Sequence, residues 1–243
     1  MRFITRSAAA GALALFAIAG TARAQSFTDG SFATGWTTST IVSSGGGASS
    51  APLAVNGNPG AYLSVHDFVY GGYTSGAHVS PFSWNPSTQG AVTSLSVSYD
   101  YTATNNAMAF GTLVRQGGLY YWGLAAGDQQ VANPGTGWWS FSNPNEPLAA
   151  SSWCQVYGSF YTTYSCGAGQ LDFSATGSQI DFGVYSANSG YIYTADGGID
   201  NFHVDLTYAG QNDVVATPEP SSIVLMMTGL AGIAVRRRRR AAA

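Results

Sequence analysis

Three histidines are the side chains of this sequence best suited to acid–base chemistry: His66, His78 and His203. A Ser–His–acid triad would need one of them between a serine and a carboxylate. No serine lies in a G-x-S-x-G motif, and His66 and its neighbour Asp67 would face opposite sides of a strand. The three histidines also lack the spacing of zinc ligands. The sequence therefore predicts neither a triad nor a zinc site.

Carboxylates are the groups that glycoside hydrolysis requires, as a pair on either side of the bond to be cut. Glu146 is the only glutamate between residues 26 and 217, and no pair of aspartates stands out in that range. We therefore expect a protein without catalytic activity. A hydrolase or lyase that acts on polysaccharide remains an alternative.

Aromatic side chains are the best binding material in the sequence, which has 6 tryptophans and 14 tyrosines. Trp138 and Trp139 lie between two turn-forming stretches, 133–137 and 143–147. A flat ring packs well against the apolar face of a sugar, so these two are candidate ligand-binding side chains. The alternative is that they fill the interior of the domain, where such rings are usually found.

Charge is scarce and unevenly distributed. Only 9% of the residues are charged, and the whole chain carries −3. Between residues 26 and 217, ten aspartates and Glu146 face Arg115 alone, which gives that part of the chain a net charge of −10. Nucleic-acid binding needs clustered cations on the protein, so an acidic body without lysine excludes it.

Alternation of apolar and polar residues, as in 94–101 and 202–208, predicts β-strands. Gln116-Gly117-Gly118 has the pattern of a hairpin turn. Many short strands between turns rich in Gly, Pro and Asn are typical of an all-β protein with a single β-sandwich or jelly roll, which we assign to residues 25–210. Residues 211–217 form a short polar tether.

Residues 1–24 have the pattern of a secretory signal peptide. Arg2 and Arg6 precede an apolar stretch that is too short to span a bilayer, and Ala22-Arg23-Ala24 fits the site of signal peptidase. The mature chain would then begin at Gln25. Adjacent arginines are absent here, which indicates export by the general secretion machinery. An uncleaved anchor is the alternative.

The only cysteines are Cys154 and Cys166. In an oxidising compartment a pair at this separation is expected to form one disulfide across a hairpin or loop. A metal site would need further ligands, and a redox pair usually has closer spacing.

The C-terminal segment joins an apolar run, residues 221–235, to five consecutive arginines: Arg236, Arg237, Arg238, Arg239 and Arg240. The run predicts a short apolar helix, below the length of about 20 residues that spans a bilayer unaided. The arginines would keep the C-terminus in the cytoplasm and the body outside. A permanent membrane anchor is the alternative to a temporary one.

Residues 218–243 resemble the PEP-CTERM sorting signal of Gram-negative bacteria: Pro218-Glu219-Pro220, an apolar stretch with small residues, and the arginine cluster. The resemblance implies a substrate of exosortase, a membrane-embedded cysteine peptidase that cuts near Pro218-Glu219-Pro220. It also implies passage to the cell surface, commonly in bacteria that make exopolysaccharide. Because the two prolines disfavour helix, the tripeptide would stay extended and accessible above the membrane.

Two stretches, 26–36 and 197–206, resemble the first and last strands of galactose-binding-like jelly rolls, a fold that many carbohydrate-binding modules share. In several of these the two strands hold a structural calcium. By this analogy Asp29 and Asp200 are candidate calcium ligands, since calcium prefers oxygen. The alternative is ordinary turn chemistry, because Asp-Gly is a common turn dipeptide. No other cofactor is implied.

The combined interpretation is an exported, surface-sorted β-sandwich protein that is associated with extracellular polysaccharide. Its processing partners would be signal peptidase and exosortase, and its contact with the membrane would be transient. A carbohydrate-binding module with a defined aromatic site is the alternative.

Overall fold

The computed structural model describes residues 22–123, 130–156, 164–166 and 171–210, which belong to the compact unit Ala22–Gln211. Three sequence predictions lie wholly or largely outside these residues: the signal peptide, the polar tether, and the C-terminal tail with its apolar helix. Within the described residues no helix has the length and apolar character needed to cross a membrane.

Fourteen β-strands form two antiparallel sheets among the described residues. The first sheet, here sheet A, has the order β10-β6-β14-β4-β3, with β1 also on β14. Its strands are β1 (Ala22–Asp29), β3 (Gly47–Gly57), β4 (Gly60–Val69), β6 (Val92–Ala103), β10 (Trp139–Asn143) and β14 (Tyr193–Ala209).

The second sheet, here sheet B, has the order β12-β11-β8-β7-β13-β5-β2, with β9 also on β7. Its strands are β2 (Thr37–Ser43), β5 (Gly72–Trp84), β7 (Met108–Gln116), β8 (Leu119–Gly123), β9 (Gln130–Ala132), β11 (Trp153–Val156), β12 (Tyr164–Cys166) and β13 (Ile180–Gly190). Two short helical turns, α1 (Pro86–Gln89) and a 3-10 turn (Ala150–Ser152), complete the described part of the chain. The prediction of an all-β sandwich is confirmed.

Alternation along the strands decides which side chains enter the core. In β14, Val204 and Leu206 are buried between the sheets, whereas Asp205 between them is exposed. The predicted hairpin at residues 116–118 is also present, and it joins β7 to β8. Gly117 and Gly118 have φ angles of 60° and 80° there, a region that favours glycine.

The interior between the sheets is strongly aromatic. Its largest fully buried side chains include Trp153, Tyr99, Phe110 and Phe182. Aromatic rings remove much apolar surface from water per residue, which lets a chain with few charges stabilise one large core. These rings therefore form much of the core between the two sheets.

Cys154 on β11 lies directly opposite Cys166 on β12 in the strand pairing. The register agrees with the expected disulfide, which stays a prediction. At the N-terminal end, the predicted cleavage site Ala22-Arg23-Ala24 forms the exposed start of β1. Cleavage there would shorten β1 by these three residues and leave the pairing of 25–29 with β14 in place.

Candidate functional site

Four connections between the sheets meet at one end of the sandwich: residues 44–46, 70–71, 104–107 and 191–192. The pairing of Val69 with Tyr193 and of Gly72 with Gly190 sets the second and fourth connections side by side. Hydrogen bonds hold the other two. Ser44 N donates to Tyr73 O at 3.0 Å, and Asn106 Nδ2 donates to Thr194 O at 2.8 Å.

This end exposes several large apolar side chains, which we call the aromatic end: Phe68, Tyr70, Tyr191 and Ile192. Tyr191 is 88% exposed and Tyr70 is 55% exposed. The ring centroids of Phe68 and Tyr70 are 6.5 Å apart. Isolated surface rings are common, but a group of them on neighbouring turns is a typical contact surface.

A cavity of about 430 Å³, here the end cavity, opens beside the aromatic end. Its polar lining comes from Asn106, Asn188, Ser189 and Tyr193, and its apolar lining from Ala107, Met108, Ala109, Val131 and Ala187. The Tyr193 hydroxyl donates to Ser189 O at 2.8 Å and to Asn188 Oδ1 at 3.2 Å. Amide and hydroxyl groups beside aromatic rings suit a ligand that has both hydroxyls and apolar faces, as sugars do.

A chain of hydrogen bonds runs through the interior behind the end cavity. Ser186 Oγ donates to Asp67 Oδ1 at 2.9 Å and lies 2.9 Å from His78 Nε2. His78 Nδ1 lies 3.0 Å from Thr38 Oγ1, which also contacts Ser50 Oγ. Because Ser186 uses its proton on Asp67, it accepts from His78, so the Nε2–H tautomer satisfies every contact in the chain.

Burial sets the protonation of the two ionisable groups in this chain. It raises the pKa of Asp67 to about 7, although the hydrogen bond from Ser186, the amide of Asn188 and the nearby charge of His66 oppose the rise. Burial also lowers the pKa of His78 to about 3. Desolvation disfavours the charged form of each group, so both are neutral in the folded protein between about pH 3 and pH 7.

The two tryptophans that the sequence singles out have different surroundings. Trp138 is half-buried and packs edge-to-face on Tyr62, with ring centroids 5.5 Å apart. Trp139 is 51% exposed, and its Nε1 donates to Thr136 Oγ1 at 2.9 Å. Trp139 thus has a ring face open to a ligand, and the ligand-binding role of both residues stays a prediction.

The candidate calcium ligand Asp29 lies at the end of β1, where four hydrogen bonds occupy its carboxylate. Its Oδ1 accepts from Ser31 N, Ser31 Oγ and Phe32 N, and its Oδ2 accepts from Trp36 Nε1 at 2.8 Å. Partial burial raises the pKa of Asp29, but the bonds from Trp36, Phe32 and Ser31 together lower it below the usual value. Asp29 therefore fixes the turn that follows β1.

The second candidate, Asp200, is buried on β14 opposite Asp100 of β6. It accepts hydrogen bonds from the backbone N–H groups of Asn58 and Asn201. Burial raises the pKa of Asp200, and the charge of Asp100 adds to the rise. Among the described residues no group of three or more His, Cys, Asp or Glu could hold a metal ion, and the calcium site stays a prediction.

Ser64, His66 and Asp196 form a further arrangement on the outer face of sheet A. Ser64 Oγ lies 3.2 Å from His66 Nε2, and His66 Nδ1 lies 2.5 Å from Asp196 Oδ1. This is the hydrogen-bond order of a Ser–His–acid triad. Sequence reasoning missed it because Asp196 lies 130 residues from His66 along the chain. Ser64, however, is buried in a strand paired on both sides, where ladder bonds use the backbone amides that would stabilise an oxyanion.

Residues 216–240 match the PEP-CTERM protein-sorting motif. The resemblance of the C-terminal segment to this signal is therefore confirmed, and the motif marks the chain as an exported protein targeted to exosortase. A comparison with curated proteins gives no match.

Several solved structures are similar to part of the chain. The family 11 carbohydrate-binding module of Clostridium thermocellum, in complex with a β-1,3-1,4-mixed-linked tetrasaccharide, has 14% identity and a TM-score of 0.43 over 74% of this chain and 94% of the module. The C-terminal family 22 module of Clostridium thermocellum Xyn10B has 12% identity and a TM-score of 0.41 over 77% of this chain and 96% of the module. An exo-β-agarase has 15% identity and a TM-score of 0.36 over 69% of this chain but 23% of the agarase.

Proposed function

We propose that this chain is an exported, non-catalytic protein of the cell surface or extracellular matrix of a Gram-negative bacterium, and that its β-sandwich binds neutral polysaccharide at the aromatic end. Signal peptidase and the general secretion machinery process and export it, and exosortase removes the tail near Pro218-Glu219-Pro220. The membrane contact is temporary. The end cavity, with its tyrosine and amide lining beside exposed rings, is the observation that carries the binding proposal.

The chemistry of the end cavity favours a sugar. Asn106, Asn188 and Ser189 supply hydrogen-bonding groups, and Tyr193 adds a hydroxyl on a flat ring. Tyr191 and Tyr70 extend the surface beyond the cavity with exposed rings. A cavity of this size holds one or two sugar rings, and the exposed tyrosines would contact the continuing polymer.

The charge of the body indicates which polysaccharides fit. A net charge of −10 between residues 26 and 217 repels acidic polymers. Of the residues that line the end cavity none is cationic, so an anionic sugar would lack a counter-charge. Neutral polymers are therefore the expected ligands.

The outer face of sheet A argues against acyl-transfer catalysis by Ser64. Ser64, His66 and Asp196 have the order of a triad, but β4 supplies no free backbone donors at Ser64. Without such donors the charge that develops on a substrate carbonyl is not stabilised. We interpret the three residues as a hydrogen-bond network that holds β4 to β14.

Retention on polysaccharide tests the proposal. The secreted protein would be run through gels that contain a β-1,3-1,4-glucan, a β-1,4-galactan or agarose, with polygalacturonate as the acidic comparison. We expect retention by a neutral polymer, loss of most of it in Tyr191→Ala and Tyr193→Ala, and full retention in the control Leu119→Ala. Leu119 is also an exposed apolar residue, but it follows the β7–β8 turn at the opposite end of β7.

Other outcomes would change the proposal. If Trp139→Ala alone abolished retention, the binding surface would lie on β10, as the sequence predicts. If no polymer retained the protein, a structural matrix component without a defined sugar site would be the better interpretation. Both results can be read from the same set of gels.

A further inference from the structure

Asn188 links the end cavity to the buried carboxyl group of Asp67. It lines the cavity although its side chain is only 8% exposed. On one side its Oδ1 accepts a hydrogen bond from the Tyr193 hydroxyl, and on the other side its amide interacts with the Asp67 carboxyl group. One side chain therefore contacts both a cavity hydroxyl and a buried acid.

Asn188 and Asp67 each have a polar atom without a hydrogen bond where the two side chains approach one another. Asn188 Nδ2 and Asp67 Oδ2 are both buried, and neither has a hydrogen-bond partner within bonding distance. A side-chain amide has a donor end and an acceptor end, and rotation by half a turn exchanges them with little change in shape. Since a buried polar atom without a partner is costly, the protonation state of Asp67 decides which orientation is favoured.

We propose that Asp67 and Asn188 form a proton-controlled switch that determines whether the Tyr193 hydroxyl donates to Asn188 or to a ligand in the end cavity. This inference rests on the proposed function only for the identity of the ligand. The switch itself is a property of the protein without ligand.

In the ionised state, the Asp67 carboxylate attracts Asn188 Nδ2, and Asn188 Oδ1 shares the Tyr193 proton with Ser189 O, as in the structure. When Asp67 Oδ2 takes up a proton, it becomes a donor and bonds Asn188 Oδ1. The amide then turns, and its Nδ2 donates to Tyr193 Oη. The Tyr193 proton, no longer used on Asn188, remains shared between Ser189 O and a ligand oxygen.

The groups around Asp67 place the switch near neutral pH. Burial raises the pKa of Asp67 to about 7, and the charge of His66 on the same strand opposes the rise. From β13, Ser186 and Asn188 face the carboxyl group. His78 lies beyond Ser186 and stays neutral above about pH 3 because burial lowers its pKa.

The first test follows the Tyr193 ring of the ligand-free full chain by NMR with tyrosine-selective 13C labelling. The signal is assigned by its loss in Tyr193→Phe. We expect it to shift with a midpoint near pH 7 in the wild type and to be independent of pH from 5.5 to 8.5 in Asp67→Asn and in Asn188→Ala. In the control His66→Gln the midpoint should persist and move upward, because the charge that lowers the Asp67 pKa is gone.

The second test uses Asp67→Asn as a permanent mimic of the protonated acid, since the amide that replaces the carboxyl group would accept from Ser186 and donate to Asn188. With the neutral polymer that retains the protein, we expect the affinity of the wild type to fall about tenfold from pH 6 to pH 8. A change of this size corresponds to the loss of one hydrogen bond between Tyr193 and the ligand. Asp67→Asn should bind at pH 8 as the wild type does at pH 6.

The two proposals fail separately. A wild-type Tyr193 signal without a midpoint between pH 5.5 and 8.5, or one that keeps its midpoint in Asp67→Asn, would overturn the switch. A titrating signal in a protein that no polymer retains would keep the switch and overturn the ligand class. Retention with a titrating Tyr193 signal but equal affinity at pH 6 and pH 8 would overturn the link between them.

Discussion

Ser186 Oγ donates to Asp67 Oδ1 at 2.9 Å and thereby joins β13 of sheet B to β4 of sheet A through the interior of the sandwich. With His78 on its other side, Ser186 connects an acid and a base that are both held neutral by burial. Neutral groups linked in this way share hydrogen bonds without placing an isolated charge between the sheets.

The first prediction concerns the pH dependence of stability. Between about pH 4 and pH 6.5 the unfolded chain has an ionised Asp67 and a protonated His78, whereas the folded chain has both neutral. Folding then binds one proton at Asp67 and releases one at His78, so their contributions to the slope cancel. In Asp67→Asn only the contribution of His78 remains. The free energy of unfolding, measured in urea relative to the wild type, should therefore rise with pH by at most about 1.4 kcal/mol per pH unit.

Substitution of His78 instead of Asp67 should reverse the slope of stability against pH. In His78→Asn only Asp67 remains, and its raised pKa means that stability is greatest at low pH and falls as pH rises from about 4 to about 7. Equal slopes in the two variants would contradict the assignment of the neutral pair. Other acids with shifted pKa values, such as Asp200, cancel in the difference from the wild type.

A second prediction concerns Gly76, whose missing side chain leaves space for the hydrogen bond between Ser186 and His78. A Cβ at that position would lie 2.6 Å from Ala48 Cβ, 2.9 Å from Ser186 Oγ and 3.1 Å from His78 Nε2. We expect Gly76→Ala to lower the free energy of unfolding by about 1–3 kcal/mol. Gly47→Ala is the matched control, because the nearest neighbour of its Cβ would be Thr40 Oγ1 at 3.6 Å, and it should stay within about 0.5 kcal/mol of the wild type.

A third prediction concerns the cysteines. The facing positions of Cys154 and Cys166 should give one disulfide, visible as the absence of alkylation by iodoacetamide until a reductant is added. Its loss in the Cys154→Ala, Cys166→Ala double variant should cost about 3 kcal/mol in the free energy of unfolding. Two alkylated cysteines in the unreduced secreted protein would refute the bond.

A fourth prediction concerns maturation. The intact mass of the protein from the cell surface should correspond to a chain that begins at Gln25 and ends near Pro218, and only in cells that have the exosortase. The tripeptide should be required, so Glu219→Ala should keep the arginine cluster, whereas Ser221→Ala should be processed. The full arginine tail in both strains would instead indicate a permanently anchored protein.

A fifth prediction concerns the triad-like residues. An alkyl fluorophosphonate, which labels activated serines, should leave Ser64 unmodified, because its strand supplies no oxyanion donors. Labelling that disappeared in His66→Gln and Asp196→Asn would show an activated nucleophile and a catalytic function. The double-sided pairing of β4 argues for the unlabelled result.

Local patterns predicted the β-sandwich and the C-terminal signal well. From residue 202 to residue 206 of β14, alternation indicates which side chains are buried, because successive residues of a strand face opposite sides. The sorting motif is likewise continuous in the sequence. The Gly-Gly pair at 117–118 also predicted a hairpin turn, and the turn between β7 and β8 lies there.

The sequence by itself determined the class of fold, the acidic charge of the body and the sorting signal at the C-terminus. Each of these depends on composition or on neighbouring residues. Only the tertiary structure decided which distant residues meet. Asp67 and Ser186 are 119 positions apart, and Tyr70 and Tyr191 share one end of the sandwich because β4 and β14 pair there. Strand order and register between sheets are set by packing across the whole domain, which no local pattern contains.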